Sequence, residues 1–395
     1  MIPPLAGINV VDLSHAISGP TCTQMLVHLG ADVIKIEPPV KGDDFRHYTE
    51  HAGLPLMSIP FAAINAGKRS VTLDLKSDDG RAILSRLIER ADILVENFRP
   101  GVLARLGFPH DRLDVINPRL ISLSISGFGQ DGPLRDWGAY DHIAQAMSGI
   151  AAMNATPQGP VKIGMPIVDS FSGYLAVIAL LAALRTRDAT GKGEHLDVAM
   201  LDAALKLIAP SVSVQSYTGQ PPASIGNRGY RMVATAEFYP TGDGWIALGA
   251  NHQHQVAKLL DVLGAGDLCD DPRFRDHAAR VAHYDAVRAW LIDRLSRETA
   301  ADLELRLTAA GVPAAMIRDV GQAVEHPHMV DRGLIEQVDL PGFDRPLATV
   351  STGFAVDRPP TPRRVPTLGA DTDAVLADLG YDPAAIDALR STGAV

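Results

Sequence analysis

Four places in the sequence set a reactive side chain among the small or turn-forming residues that leave room for a ligand. Asp169 stands between Gly164-Met-Pro166 and Gly173, ahead of an apolar stretch that reads as a helix from about Ser170. Its simplest role there is an N-cap, the carboxylate accepting backbone N–H groups. The same position supports a second reading, because a carboxylate at the positive end of a helix dipole stays ionised and can act as a nucleophile. Val95-Glu-Asn-Phe-Arg-Pro-Gly101 follows a strand-like run, with Arg105 one turn further on. Phe98 could stack an aromatic base while Arg99, Arg105, Lys68, Arg69 and Lys76 pair with phosphates; the alternative is a set of solvated surface cations. His15 comes directly after the first strand-like run and before Ser18-Gly-Pro20, where a ligand could reach it. Residues 127–132 form a GxGxxG after another such run, but Pro133 follows at once and residues 149–158 contain no acid to hold a ribose. That segment therefore reads as a glycine-rich loop near a ligand, not as a dinucleotide fingerprint.

The elements that must position these residues alternate in type. Ile8–Leu13, Val33–Ile36, Val71–Leu75, Ile93–Val95, Leu120–Ser126 and His195–Val198 read as strands, with helical stretches at Thr21–Leu29, Gly80–Arg90, Asp141–Ser148 and from Asp169 to about Arg187. Such alternation predicts an α/β fold with a mostly parallel sheet covered on both faces. A helix from Met200 runs to about Pro210, and the texture then changes to Ser, Gln, Gly, Pro and Asn between Val212 and Met232, as in a linker or functional loop. Beyond it a hairpin signal around Thr241-Gly-Asp-Gly244 and helices at about Gln253–Leu263, Ala278–Arg297 and Ala300–Ala310 predict a smaller α+β domain. Strands at Leu334–Leu340 and Ala348–Ala355 and the Pro-rich stretch Arg358–Pro366 precede terminal helices at Thr372–Leu379 and Pro383–Arg390.

With 36 basic and 46 acidic residues among 395, the net charge is −10, which argues against a nucleic-acid binder. The longest apolar run, Tyr174–Leu184, is shorter than the roughly 18–20 residues that cross a bilayer and reads as a core helix, so no membrane partner is expected. No basic and apolar leader follows Met1, and the expected location is cytoplasmic. Cys22 and Cys269 have no CxxC or histidine companion, and the His252/His254 and His326/His328 pairs lack a carboxylate cluster, so neither a disulfide framework nor a metal site is expected.

Taken in order, Leu5-Ala-Gly7, Ser18-Gly-Pro20, Leu29-Gly-Ala-Asp-Val-Ile-Lys-Ile-Glu-Pro38, Lys68-Arg-Ser70, Leu73-Asp-Leu-Lys76, Glu96-Asn-Phe-Arg-Pro-Gly101 and Ser126-Gly-Phe-Gly-Gln-Asp-Gly-Pro133 resemble the class III CoA-transferase family. Asp169, Thr190-Gly-Lys-Gly193 and Gly226-Asn227 continue the pattern, so the resemblance spans nearly the whole chain. The family includes formyl-CoA transferases, carnitine CoA-transferases and α-methylacyl-CoA racemases. The resemblance implies a Rossmann-like large domain built from residues 1–210 and from a C-terminal segment within 326–395. A linker and mobile loop would occupy 211–232, an inserted small domain 233–325, and two subunits would interlock.

It also implies an acyl-CoA:carboxylate CoA-transferase in which Asp169 attacks the thioester and forms a mixed anhydride, then an aspartyl-CoA thioester. Coenzyme A would lie along Leu73, Lys76, Asn97, Phe98 and Arg105, with its thiol end near His15, and no metal would take part. Tyr140 and the loop at Gly226, Asn227 and Gly229 would face the small carboxylic acid. Ile17, where formyl-CoA transferases carry glutamine, and a loop with only Gly226 and Gly229 weigh against a formyl or oxalate substrate. Pro38 stands where some members place a CoA-contacting arginine, for which Arg46 is the candidate replacement. The alternatives are a racemase using Asp169 as a proton partner, opposed by Tyr140 where racemases place histidine, and a non-catalytic CoA-binding protein.

Overall fold

Six runs rich in β-branched and aliphatic residues pair side by side: β1 (Asn9–Asp12), β2 (Asp32–Glu37), β3 (Arg69–Thr72), β4 (Ile93–Glu96), β5 (Ile121–Ser126) and β6 (His195–Ala199). Every pairing is parallel, in the spatial order β3-β2-β1-β4-β5-β6. This computed structural model describes residues 2–49, 56–343, 345–354 and 363–395. The strand order reverses between β1 and β4, and in open α/β sheets ligands bind beyond the carboxyl ends of the strands at that reversal. The helices between the strands are α1 (Ser18–His28), α2 (Ile59–Ala63), α3 (Asp78–Arg90), α4 (Val102–Arg105), α5 (His110–Ile116), α6 (Asp141–Ser148), α7 (Ile150–Met153) and α8 (Ile167–Thr190), with α9 (Met200–Leu207) after β6.

Successive strand residues point to opposite faces, and both faces are buried. Val10, Val33, Ile93, Val95, Leu123 and Ile125 join Leu26 of α1 and Ala176 and Leu180 of α8 in one core. Val11, Ile36, Val71 and Leu94 join Ile83, Leu84 and Leu87 of α3 and Leu376 near the C-terminus in the other. The C-terminal segment is stitched to the edge strand: Ser70 N–H donates to Asp371 Oδ2 at 2.8 Å, Asp371 N–H returns to the Ser70 carbonyl at 2.9 Å, and Thr72 N–H donates to Thr372 Oγ1 at 3.0 Å.

The chain divides into two compact units, one of residues 1–151, 162–220 and 328–395, the other of 152–161 and 221–327. In the second, β7 (Phe238–Pro240), β8 (Trp245–Leu248) and β9 (Ala314–Met316) form an antiparallel sheet. Its core gathers Tyr239, Ile246, Leu259, Phe274, Leu291 and Leu307. Three expectations change. A helix, Ala209–Thr218, runs into the stretch expected to be a loop and stops at Gly219, whose φ of 68° suits glycine. The expected helix Ala278–Arg297 breaks at His283 into His277–Ala282 and Tyr284–Leu295. The three-residue β9 was not expected at all. Most of the Pro-rich stretch lies outside the described residues.

Of the described helices, only α8 is long and apolar enough to cross a membrane by length and composition. In the unit it is the helix on which α1, α6 and α9 pack. Its approach to α1 needs a residue without a side chain, since a Cβ on Gly173 would stand 2.6 Å from the Ser18 carbonyl oxygen and 2.9 Å from Thr21 Cβ. Gly173→Ala is therefore expected to push the two helices apart and lose about 1–3 kcal/mol, the usual range for overpacking. Thermal unfolding checks this, and an unchanged midpoint would show slack between α1 and α8.

Candidate active site

The loops leaving β1 and β4 diverge at the strand-order reversal, and one side chain ties them. Asn97 Oδ1 accepts from the His15 N–H at 2.8 Å, and Asn97 Nδ2 donates to the His15 carbonyl at 2.8 Å. Ala16 is held at φ 60°, a left-handed conformation uncommon outside glycine. Beyond these loops opens a cleft of about 600 Å³. His15, Asn97, Phe98 and Tyr140 line it together with Asp169, so five of the expected site residues meet in one place. Pro38, Arg99, Trp137 and Met200 also line it, as do Ser126 at the end of β5 and Gly127 of the glycine-rich loop.

Asp169 is not the N-cap expected from the sequence. Pro166 holds that position and α8 starts at Ile167, which places Asp169 in the first turn. The capping carboxylate comes from another helix: Asp141, the first residue of α6, accepts through Oδ2 from the Val168 N–H at 2.7 Å and the Asp169 N–H at 3.1 Å. Its Oδ1 is held by Gln145 Nε2 at 2.5 Å, and the buried Gln145 fixes the approach to α8 by accepting from the Ile163 N–H at 2.8 Å. Among the described residues the Asp169 carboxylate has no hydrogen-bond or ion partner. Burial, and then the Asp141 carboxylate, push it up to about 7. A half-ionised carboxyl facing an open cleft has the properties of a nucleophile or of a proton carrier.

The expected phosphate partners separate into two groups. Lys68 is buried, contacting Asp12 Oδ2 at 3.1 Å, Thr23 Oγ1 at 2.7 Å and Asn65 Oδ1 at 2.8 Å. Arg46 is buried too, donating to Glu37 at 2.6 and 2.7 Å with its guanidinium 3.9 Å from the Phe61 ring centroid. Neither is free to replace the arginine missing at Pro38, and Arg69 pairs with Asp32 at 2.5 Å. Arg99, Lys76 and Arg105 are exposed, but of these only Arg99 lines the cleft. The Leu73 side chain is in the core of the sheet's second face, which leaves only its backbone for a ligand. Gly226, Asn227 and Gly229 belong to the second unit, where Gly229 N–H donates to the Ala236 carbonyl at 2.7 Å and Gly226 has φ 57°. Among the described residues, no cluster of three His, Cys, Asp or Glu side chains is placed to hold a metal ion.

Sequence reasoning gave Asp141 and Gln145 no role, although their i,i+4 spacing next to Tyr140 is the one available signal. The raised Asp169 carboxyl has a consequence for stability. Between about pH 4 and pH 7 the folded protein keeps this proton while the unfolded chain has lost it, so wild-type stability falls across that window and levels off above it. Asp169→Asn removes the dependence. Its stability advantage over wild type should grow from about pH 4 to pH 7, reaching about 2–4 kcal/mol, and then stay constant. Urea titrations at several pH values check this, and a difference that does not vary with pH would place the proton elsewhere.

The model of CoA-transferase family III matches residues 5–372. The chain is 40% identical over 355 residues, 87% of its length and 90% of the relative's, to an acetyl-CoA:oxalate CoA-transferase of Acetobacter aceti. It is 37% identical over 389 residues, 95% and 96% of the two chains, to a succinate–glutarate CoA-transferase of Agrobacterium fabrum. A crystal structure of a CAIB/BAIF family protein from Brucella suis superposes with a TM-score of 0.87 at 33% identity, covering 96% of this chain and all of that one. Sequence and fold agree over nearly the full length, the relatives are named as enzymes that move CoA between acids, and the chain belongs to CoA-transferase family III.

Proposed function

We propose that this protein transfers CoA from an acyl-CoA to a small dicarboxylic acid, with Asp169 as the nucleophile. The observation that carries the reading is the Asp169 carboxyl, unpartnered among the described residues and open to the cleft beside His15 and Asn97. Its anion attacks the thioester carbonyl, the C–S bond breaks, and a mixed anhydride forms as CoA thiolate leaves. The thiolate attacks the aspartyl carbonyl, expels the donor carboxylate and leaves an aspartyl-CoA thioester. The acceptor carboxylate then attacks that thioester, and the released thiolate takes the new acyl group, which restores Asp169. Dividing the exchange into such steps lowers each barrier. CoA would enter past Phe98, with its phosphates toward Arg99, Lys76 and Arg105, three exposed cations. The dicarboxylic class is supported by relatives named for oxalate, for succinate and glutarate, and for D-citramalate. The expectation against oxalate drawn from Ile17 stands beside a relative named for oxalate at 40% identity, so oxalate belongs in the panel of acids to be assayed.

We propose further that the enzyme is an interlocked homodimer. A stripe at i, i+4 and i+7 on α8, Tyr174, Ile178 and Leu181, is 48%, 64% and 40% exposed, and a stripe of large apolar side chains is the kind of surface a second copy covers.

Asp169→Asn is expected to abolish CoA exchange. Incubating wild type with an acyl-CoA and then borohydride or hydroxylamine should modify Asp169 alone, as peptide mass spectrometry would record; near-normal transfer by Asp169→Asn, with deamidation excluded, would overturn the covalent route. Because the anion is the reactive form, kcat/KM should rise with pH through about 7 and then level off. Sedimentation at nanomolar concentration should show only dimer until the protein unfolds, and a folded monomer there would remove the interlocked assembly.

A further inference from the structure

The geometry points to Asp43 as a positioning residue that sets the tautomer and orientation of the His15 ring in the cleft. Residues 15 and 16 have little freedom left. Asn97 takes both the N–H and the carbonyl of His15, and the Ala16 N–H donates to Asp43 Oδ1 at 3.1 Å while Ala16 sits at φ 60°. A left-handed alanine persists only where its surroundings over-determine it. What remains free is rotation of the imidazole, and Asp43 is placed to stop it: its Oδ1 lies 3.5 Å from His15 Nδ1.

That contact is long for a hydrogen bond, as contacts in a substrate-free site often are. Its direction is nevertheless determined by charge. Asp43 is fully buried, its Oδ2 lies 2.9 Å from Lys35 Nζ, and its Oδ1 also accepts from the Phe45 N–H at 2.9 Å. Burial alone would raise the Asp43 carboxyl, but Lys35 and then His15 hold it well below the usual carboxylate range. An ionised carboxylate can only accept, so the ring nitrogen facing it must carry a proton. His15 in its neutral form is therefore the Nδ1–H tautomer, and Nε2 is left as an acceptor for whatever occupies the cleft. Lys35 is itself buried and donates to the Ser14 carbonyl at 2.7 Å, so the charge that keeps Asp43 ionised is anchored in the same loop.

A purely structural Asp43, serving only Lys35, Ala16 and Phe45, would leave the ring free to choose either tautomer. Nitrogen-15 NMR of the substrate-free protein at alkaline pH separates the two, with the His15 signals assigned by comparison with His15→Gln. Wild type should show the Nδ1–H tautomer, and Asp43→Asn should move it toward Nε2–H. An Nε2–H ring in wild type, or an unchanged ring in Asp43→Asn, overturns the proposal; the wild-type spectrum decides even if the variant does not fold. A kinetic arm rests on the transferase reading above. Asp43→Asn should lower kcat about 10- to 100-fold with a smaller change in KM, by analogy with the partners that orient metal-binding histidines. The double variant with His15→Gln should lose no more than His15→Gln alone, and multiplicative losses would show that Asp43 acts independently of His15. Failure of wild type to transfer CoA to any acid would remove the transferase reading while leaving the NMR test of the ring intact.

Discussion

Asp141 caps a helix that is not its own, and much of the site depends on that contact. By accepting the first N–H groups of α8 it fixes where the helix begins, and so where Asp169 projects. It also places a second carboxylate near that of Asp169, which adds to burial in keeping the Asp169 proton bound near neutrality. One interaction thus sets the position of Asp169 and adds to the burial that raises its carboxyl. Gln145 holds Asp141 from behind, and Gly173 lets α8 lie against α1, so the two helix N-termini and the His15 loop converge on one cleft.

Around this cleft the protein keeps its charges in two populations. Lys35, Asp43, Asp12, Lys68, Glu37 and Arg46 form buried pairs beneath the loops that leave β1 and β2. Breaking a buried pair by removing one partner costs several kcal/mol, so these ions define the loop geometry and are not available to a phosphate. Arg99, Lys76 and Arg105 are exposed and can meet an anion without first losing a partner among the described residues. The division follows from solvation: a cation that must bind and release a ligand has to remain in contact with water.

Much of this was legible in the sequence, and the reasons for the rest are specific. A sheet buried on both faces requires near-continuous runs such as Asn9–Asp12 and Ile93–Glu96, which stand out from the amphipathic α3. Asp169, His15, Asn97 and Phe98 could be placed because each follows or precedes such an element. The start of α8 was misplaced because its capping group arrives from α6, so no local Ser, Thr or Asp marks the boundary. Lys68 and Arg46 look like any surface cations in the sequence, and only the tertiary structure supplies Asp12 and Glu37 opposite them. Leu73 came from the family resemblance, and its side chain shares a core with Val71, Ile83 and Leu376, so only its backbone is open to the role the resemblance implies.

The C-terminal stitching of β3 bears on how the chain comes to be folded. Ser70 and Thr72 wait for Asp371 and Thr372, and the Asp74 N–H donates to the Ala394 carbonyl at 2.8 Å, so one face of the first sheet is closed by residues about 300 positions further along the chain. At ordinary rates of synthesis, β3 waits on the order of tens of seconds for the residues near 371 that bond to it. Contacts of such sequence separation also carry a high loop-closure penalty, which slows the final docking step. The segment from Asp371 to Ala394 is therefore as much a part of this unit's core as the strands it covers, with Val375, Leu376, Leu379 and Ile386 buried in it.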